Sequence, residues 1–224
     1  MKRYLLLIIV LCFFITGCGE KEYNKKDWQT DFSTKESLMD AEIRDIFNRA
    51  TKNSDKSYKL VALLATQIVA GSNYMFLTIE DNTSYKILVI NNDLENKATI
   101  LYNNDFDYTK YVFENFQYKP ENLSGGWNVF STPMLSSTKQ VLLDSNIQNI
   151  FDEASKKIEG TTYLPIATLG HLDEDGTKYA ILCYGIIDSS NSDEGIFLVT
   201  LYDQSNSTKE IVSNAYVDLT KYAK

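Results

Sequence analysis

Apolar residues are spaced along this chain in two alternating ways. Met39, Ile43, Ile46, Phe47 and Ala50 recur at three- and four-residue intervals, which puts them on one face of an amphipathic helix. Ser33-Thr34-Lys35-Glu36 ahead of them has capping-box form. The helix is therefore predicted to open there and to run to about Lys52. Residues 53–57 are polar and break it. Residues 60–65 and 74–79 then form apolar runs of aliphatic, aromatic and β-branched residues without Pro, and read as strands. Residues 85–90 and 98–102 read the same way, with a polar tip at 91–96 between them. A short final strand is predicted to end in Asp107-Tyr108-Thr109-Lys110-Tyr111.

The whole pattern then recurs. Residues 33–53 align without a gap on 137–157, sharing among others Ser33/Ser137, Asp40/Asp144, Ile43/Ile147, Ile46/Ile150, Phe47/Phe151 and Ala50/Ala154. One inserted residue later, 61–78 aligns on 166–183, with Gly71 on Gly176 and Tyr74 on Tyr179. Asp218-Leu219-Thr220-Lys221-Tyr222 closes the second copy as 107–111 closes the first. The chain is a tandem duplication whose junction falls between Val112 and Ser124. A helix with one apolar face and a meander of strands must bury those faces against each other. The expected fold class is α+β, with two tandem domains, each one helix across a curved four- to five-stranded antiparallel sheet.

The N-terminus lies outside this scheme. Lys2 and Arg3 precede an apolar run over residues 5–15 and then Thr16-Gly17-Cys18, the layout of a signal peptide. The run is short for a membrane span. Ile15-Thr16-Gly17-Cys18 resembles the lipobox of bacterial lipoproteins, which implies lipidation at Cys18. The alternative is an ordinary signal peptide with a chance Cys. Acyl chains contribute roughly 0.8 kcal/mol per buried methylene, so a multiply acylated Cys18 would hold the protein on a membrane. The expected organisation is a leader over 1–18, a tether over 19–31, a first domain over 32–112, a linker over 113–123 and a second domain over 124–224. Cys12 falls in the leader and Cys18 carries the lipid, so Cys183 is left alone and no intradomain disulfide is expected. Asp and Glu number 30 against 22 Lys and Arg, which argues against nucleic acid and anionic lipid surfaces as electrostatic partners.

Gln67-Ile68-Val69-Ala70-Gly71 stands between the first two strands and reads as a hairpin tip, since Gly supplies the positive φ of a tight reversal. A mere turn would use Asn, Asp, Ser or Pro, whereas an exposed apolar tip marks a contact surface. The run Q-I-V-A-G-S-N-Y resembles the first binding loop of the cystatin superfamily of cysteine-protease inhibitors, whose pattern is Q-x-V-x-G, and is closest to the stefin type. The resemblance implies a cystatin-like fold for both copies. It also implies reversible inhibition of papain-like cysteine proteases by a three-part wedge. The parts are a Gly-bearing segment ahead of the helix, the first tip at Gln67, Ile68, Val69, Ala70 and Gly71, and the second tip at Asn92, Asp93 and Leu94. Leu94 is the one apolar contact expected in the second tip.

The two copies depart from that pattern in complementary ways. Asp27-Trp28-Gln29 stands where the first copy should carry its Gly, whereas Ser124 and Gly125-Gly126-Trp127 of the second copy resemble that segment. The second copy's first tip is Leu172-Asp173-Glu174-Asp175-Gly176, and three carboxylates would be costly to desolvate in a protease cleft. A second copy that is non-inhibitory or changed in target is expected, its acidic turn solvated rather than a calcium site. His171, the only His, is expected on an exposed loop facing about Lys178 and out of reach of Cys183. No metal spacing, phosphate loop or Ser/His/Asp set occurs, so no catalytic residue, metal or cofactor is expected. The competing reading is a non-inhibitory binding or structural lipoprotein of the cell envelope that uses the same scaffold.

Overall fold

The computed structural model describes residues 29–30, 36, 39–112, 127–129, 143–173, 175–188, 194–204 and 208–223. Its first repeat consists of α1 (Ala41–Thr51), β2 (Tyr58–Val69), β3 (Gly71–Glu80), β4 (Ser84–Asn92) and β5 (Ala98–Asp105). The second consists of α2 (Ser145–Ser155), β7 (Thr161–Asp173), β8 (Thr177–Ile187), β9 (Glu194–Gln204) and β10 (Thr208–Tyr216). Two short strands complete the set, β1 (Gln29–Thr30) and β6 (Trp127–Val129). Among the described residues the chain is thus a mixed α+β protein with two α-helices and two antiparallel sheets.

Both helices begin later than the capping boxes predicted. Asp40 and Asp144 are the N-caps, and Asp144 accepts the amide of Asn146 at 2.9 Å. Glu36 takes Arg44 Nε at 2.7 Å instead of closing a capping box. Met39 and Leu143, just ahead of the caps, are already buried from non-helical backbone. Ser33 to Lys35 and Ser137 to Gln140 lie outside the described residues. The predicted final strands are also corrected. Residues 98–105 form one strand, and the chain then enters a 3-10 turn at Tyr108–Lys110, as it does again at Leu219–Tyr222. Asp107 and Asp218 cap these turns by accepting the amides of Thr109 and Thr220. A short aspartate at a cap competes for local backbone donors and stops the strand.

The duplication extends to irregularities that no periodicity reveals. Pairing of β2 with β3 skips Val61 and Leu64, and pairing of β7 with β8 skips Ile166 and Leu169, the aligned positions. The edge strands share a bulge at Leu101 and Val212, both exposed. A bulge places neighbouring residues on one face of a strand. Val61 with Ala62, and Leu64 with Ala65, accordingly point the same way, while Leu60 and Leu63 point to the helix side.

Each sheet is covered on both faces. Ile46 and Phe47 of α1 pack on Leu60, Leu63, Phe76, Leu88 and Ile90 of the first sheet. Ile150, Phe151 and Ala154 of α2 pack on Ile181, Cys183, Phe197, Val199 and Leu201 of the second. The opposite faces meet each other. Val61, Leu64, Met75, Leu77, Ile79, Ile87 and Val89 form one continuous core with Ala167, Leu169, Ala180, Leu182, Ile196, Leu198, Ala215 and Val217. The layers therefore run helix, sheet, sheet, helix. Burying one such aliphatic side chain stabilises by about 1.5–3 kcal/mol, whereas an exposed pair such as Arg49–Asp45 contributes about 0.3–0.5 kcal/mol. The inter-sheet layer dominates.

The fifth strand of each sheet comes from the other repeat. The first sheet has the order β5-β4-β3-β2-β6 and the second β1-β7-β8-β9-β10. β1, from the stretch expected to be a tether, pairs Gln29 with His171 and Thr30 with Gly170. β6, from ahead of the second helix, pairs with β2 over Ala65 to Gln67.

Because the repeats share one core, the chain should unfold as a unit. Leu182→Ala, at a fully buried inter-sheet position, is expected to cost about 2–5 kcal/mol. Calorimetry should show a single transition in wild type and variant alike. Two resolved transitions, with only the second shifted, would contradict the shared core.

Candidate functional site

The apolar tip is built by the geometry of its hairpin. Ile68 pairs with Ser72 and Val69 with Gly71, so Ala70 alone stands at the apex. Gly71 has φ +99°, and a Cβ there would lie 2.3 Å from the Asn92 carbonyl oxygen and 2.9 Å from Asp93 Cα. Glycine is thus required twice, for the reversal and for the close approach of the second tip. β3 pairs Ser72 with Asn92, which sets the two tips side by side at one end of the first sheet. Ile68 is 82% exposed, Val69 41% and Leu94 81%. Ala70 is exposed as well. Four apolar side chains therefore face water together where nothing in the fold needs them.

Beneath this ridge the strands are held by polar side chains. Asn73 Nδ2 donates to Gln67 Oε1 at 2.6 Å, and Asn91 Nδ2 donates to Asn73 Oδ1 at 2.8 Å. Gln67, Asn73 and Asn91 face one another across β2, β3 and β4, so the bonds form a ladder across the sheet. The glutamine that opens the motif is in this way tied inward. The second tip is equally ordered. Asp93 Oδ1 accepts the amides of Glu95 and Lys97, each at 2.9 Å, and Asn96 takes φ +62°. Asn92 Oδ1 accepts from both terminal nitrogens of Arg49 at 3.3 Å. Of Asn92, Asp93 and Leu94, Leu94 is the exposed apolar residue, while Asn92 and Asp93 Oδ1 are engaged within the first repeat.

β6 lies beside the first tip, with Trp127 opposite Gln67, Asn128 opposite Thr66 and Val129 opposite Ala65. Trp127 is its described residue nearest the ridge, while Gly125 and Gly126 lie outside the described residues. Trp127, the described part of the segment expected to serve the second repeat, therefore pairs with the tip strand of the first.

The corresponding end of the second repeat is acidic. Gly176, with φ +131°, repeats the close approach of Gly71, since a Cβ there would lie 2.6 Å from the Asp203 carbonyl oxygen. Asp173 accepts from Thr177 Oγ1 at 3.0 Å, and the Asp175 carbonyl accepts from Tyr202 Oη at 2.7 Å. Glu174 lies outside the described residues. His171 is in strand β7 and opposes Tyr179, one residue from the predicted Lys178. The partner differs by one residue because β7 runs on to Asp173, which pairs with Thr177. Cys183 opposes Pro165 and is buried beneath α2. Burial pushes its thiol pKa well up, so it stays neutral.

Gln67 and Asn73 both fall in the motif run; their bond to each other and to Asn91 follows only when strand register is known. Asn73→Ala removes both rungs of the ladder and leaves Gln67 and Asn91 partly buried without that partner. A loss of about 1–3 kcal/mol is expected, read as a lower midpoint in urea together with faster proteolysis at residues 68–70. Compared with known protein families, curated proteins and solved structures, the chain matches none.

Proposed function

We propose that this protein is a reversible, competitive inhibitor of papain-like cysteine proteases, held at a bacterial membrane or cell surface through lipid on Cys18. The observation that carries the reading is the ridge formed by Ile68, Val69, Ala70 and Leu94, exposed side by side on two tips that are braced from below. On this reading each repeat is cystatin-like, one helix across an antiparallel sheet, and the first repeat inserts its tips into the cleft flanking the protease's catalytic Cys.

Inhibition of this kind needs no chemical step from the inhibitor. A braced hairpin loses little conformational freedom on docking, so the apolar area it buries converts efficiently to affinity. Gly71 keeps the apex narrow enough for backbone to approach backbone. β6 takes the place of the third part of the wedge, since Trp127 stands next to Gln67. Trp127 is accordingly assigned to the first repeat's ridge, although it precedes the second helix in sequence. The acidic tip of the second repeat would carry desolvated charge into the same cleft, which is costly without a paired cation. Inhibition is therefore assigned to the first repeat.

The test is papain inhibition by residues 19–224, which omit Cys18, beside the same protein carrying Ile68→Asp and Val69→Asp. Both substituted side chains are exposed in the free protein, and Gly71 is left alone because a side chain there would strike Asn92. Wild type should inhibit and the variant should lose affinity by roughly a hundredfold or more, as two uncompensated carboxylates enter the interface. Absence of inhibition of papain and of several cathepsins by the folded protein would favour a non-inhibitory envelope-binding role. In the producing bacterium, Cys18→Ser should move the protein from the membrane fraction to the soluble one. Retention on the membrane would count against the lipid anchor.

A further inference from the structure

We propose that Arg49 is a positioning residue for the docking ridge, through which helix α1 holds the second tip, and Leu94 with it, beside the first. The consequence for inhibition rests on the function proposed above; the bracing itself stands on geometry. Arg49 lies in the last turn of α1. Its guanidinium is engaged on each side. Nε donates to Asp45 Oδ2 at 2.8 Å, both terminal nitrogens donate to Asn92 Oδ1 at 3.3 Å, and Nη1 donates to the Asn96 carbonyl. Asn92 and Asn96 flank Leu94 on the two sides of the tip. One planar cation thus clamps both stems of the loop, and Asp45, one helical turn back, holds that cation in its plane.

Apart from the pairing of Asn92 with Ser72 and Ala98 in the sheet, the remaining tip bonds are local. Asp93 accepts the amides of Glu95 and Lys97, the Asp93 amide donates to the Lys97 carbonyl, and the Asn96 amide donates to the Asp93 carbonyl. These fix the loop's shape but not its tilt against the first tip. Gly71 brings the backbones of the two tips together, and Arg49 holds the far side of the second tip against the helix. Arg49 aligns with Glu153 of the second repeat, which pairs with Lys209 at 3.1 Å. The clamp is found in the repeat whose tip is apolar. A single rotatable loop would have to be ordered on docking, whereas a clamped loop presents Leu94 already in place.

The experiment compares Arg49→Met, Leu94→Ala and the double variant in residues 19–224, which omit Cys18. Methionine retains much of the apolar stem of Arg49 while removing its hydrogen bonds. Papain affinity should fall roughly tenfold in Arg49→Met, with far less than that added when Leu94 is already Ala. Amide exchange at Glu95 and Lys97 should accelerate in Arg49→Met while exchange in β3 stays unchanged. Equal losses from Arg49→Met with and without Leu94 would overturn the proposal, as would unchanged exchange at the tip. A wild type that does not inhibit would defeat the functional reading alone, and the exchange measurement would still decide whether Arg49 aims the tip.

Discussion

Both faces of each sheet are apolar, and one helix covers only one of them. Along β4, Leu88 and Ile90 point to α1, while Tyr85, Ile87 and Val89 point the other way. Along β8, Ile181 and Cys183 lie under α2, while Ala180, Leu182 and Tyr184 point away from it. A strand apolar on both sides must be buried on both sides. The duplicated chain meets that demand by turning the two bare faces toward each other. The bulges at Val61 and Leu64, and at Ile166 and Leu169, add neighbouring apolar residues to this layer.

Several features follow from that layer. The end of the first repeat is drawn into it, with Phe106, Tyr108, Tyr111 and Val112 buried there. The Val112 carbonyl accepts from Thr200 Oγ1 and Ser213 Oγ, each at 3.1 Å, which ties the first repeat into the second sheet. In return, Asn104 Nδ2 donates to the Tyr222 carbonyl at 2.9 Å, and the ring of Tyr222 packs edge-on against Phe106. Exchange of β1 and β6 links the sheets in the same sense. Strands of two and three residues contribute little stability of their own, but they cover the otherwise open edges of β7 and β2.

The candidate ridge lies at the end of this rigid body, where burial no longer dictates the residue type. Two equivalent hairpin tips share a glycine and a close backbone approach, at Gly71 and at Gly176. They differ in what they present, Ile68 and Val69 in one and Asp173 and Asp175 in the other. The shared part is what the hairpin needs. The divergent part is exposed, and the Gln67–Asn73–Asn91 ladder and the bonds of Arg49 lie directly beneath it in the first repeat.

Sequence by itself determined the duplication, the order of helix and strands in each repeat, and a tight apolar tip ending in Gly71. Each of these depends on local spacing or local backbone preference, which a linear pattern carries. The helix starts and the final turns were misjudged, because Asp40, Asp144, Asp107 and Asp218 decide them through caps that compete with the longer patterns. Tertiary structure alone decided that the sheets pack on each other, that β1 and β6 change places, and that Asn73, Asn91 and Arg49 converge under the tips. A run apolar on both faces states that it will be buried without stating against what. Strand partners and clamping side chains are fixed by contacts between residues far apart in the chain, and only the assembled core brings those residues together.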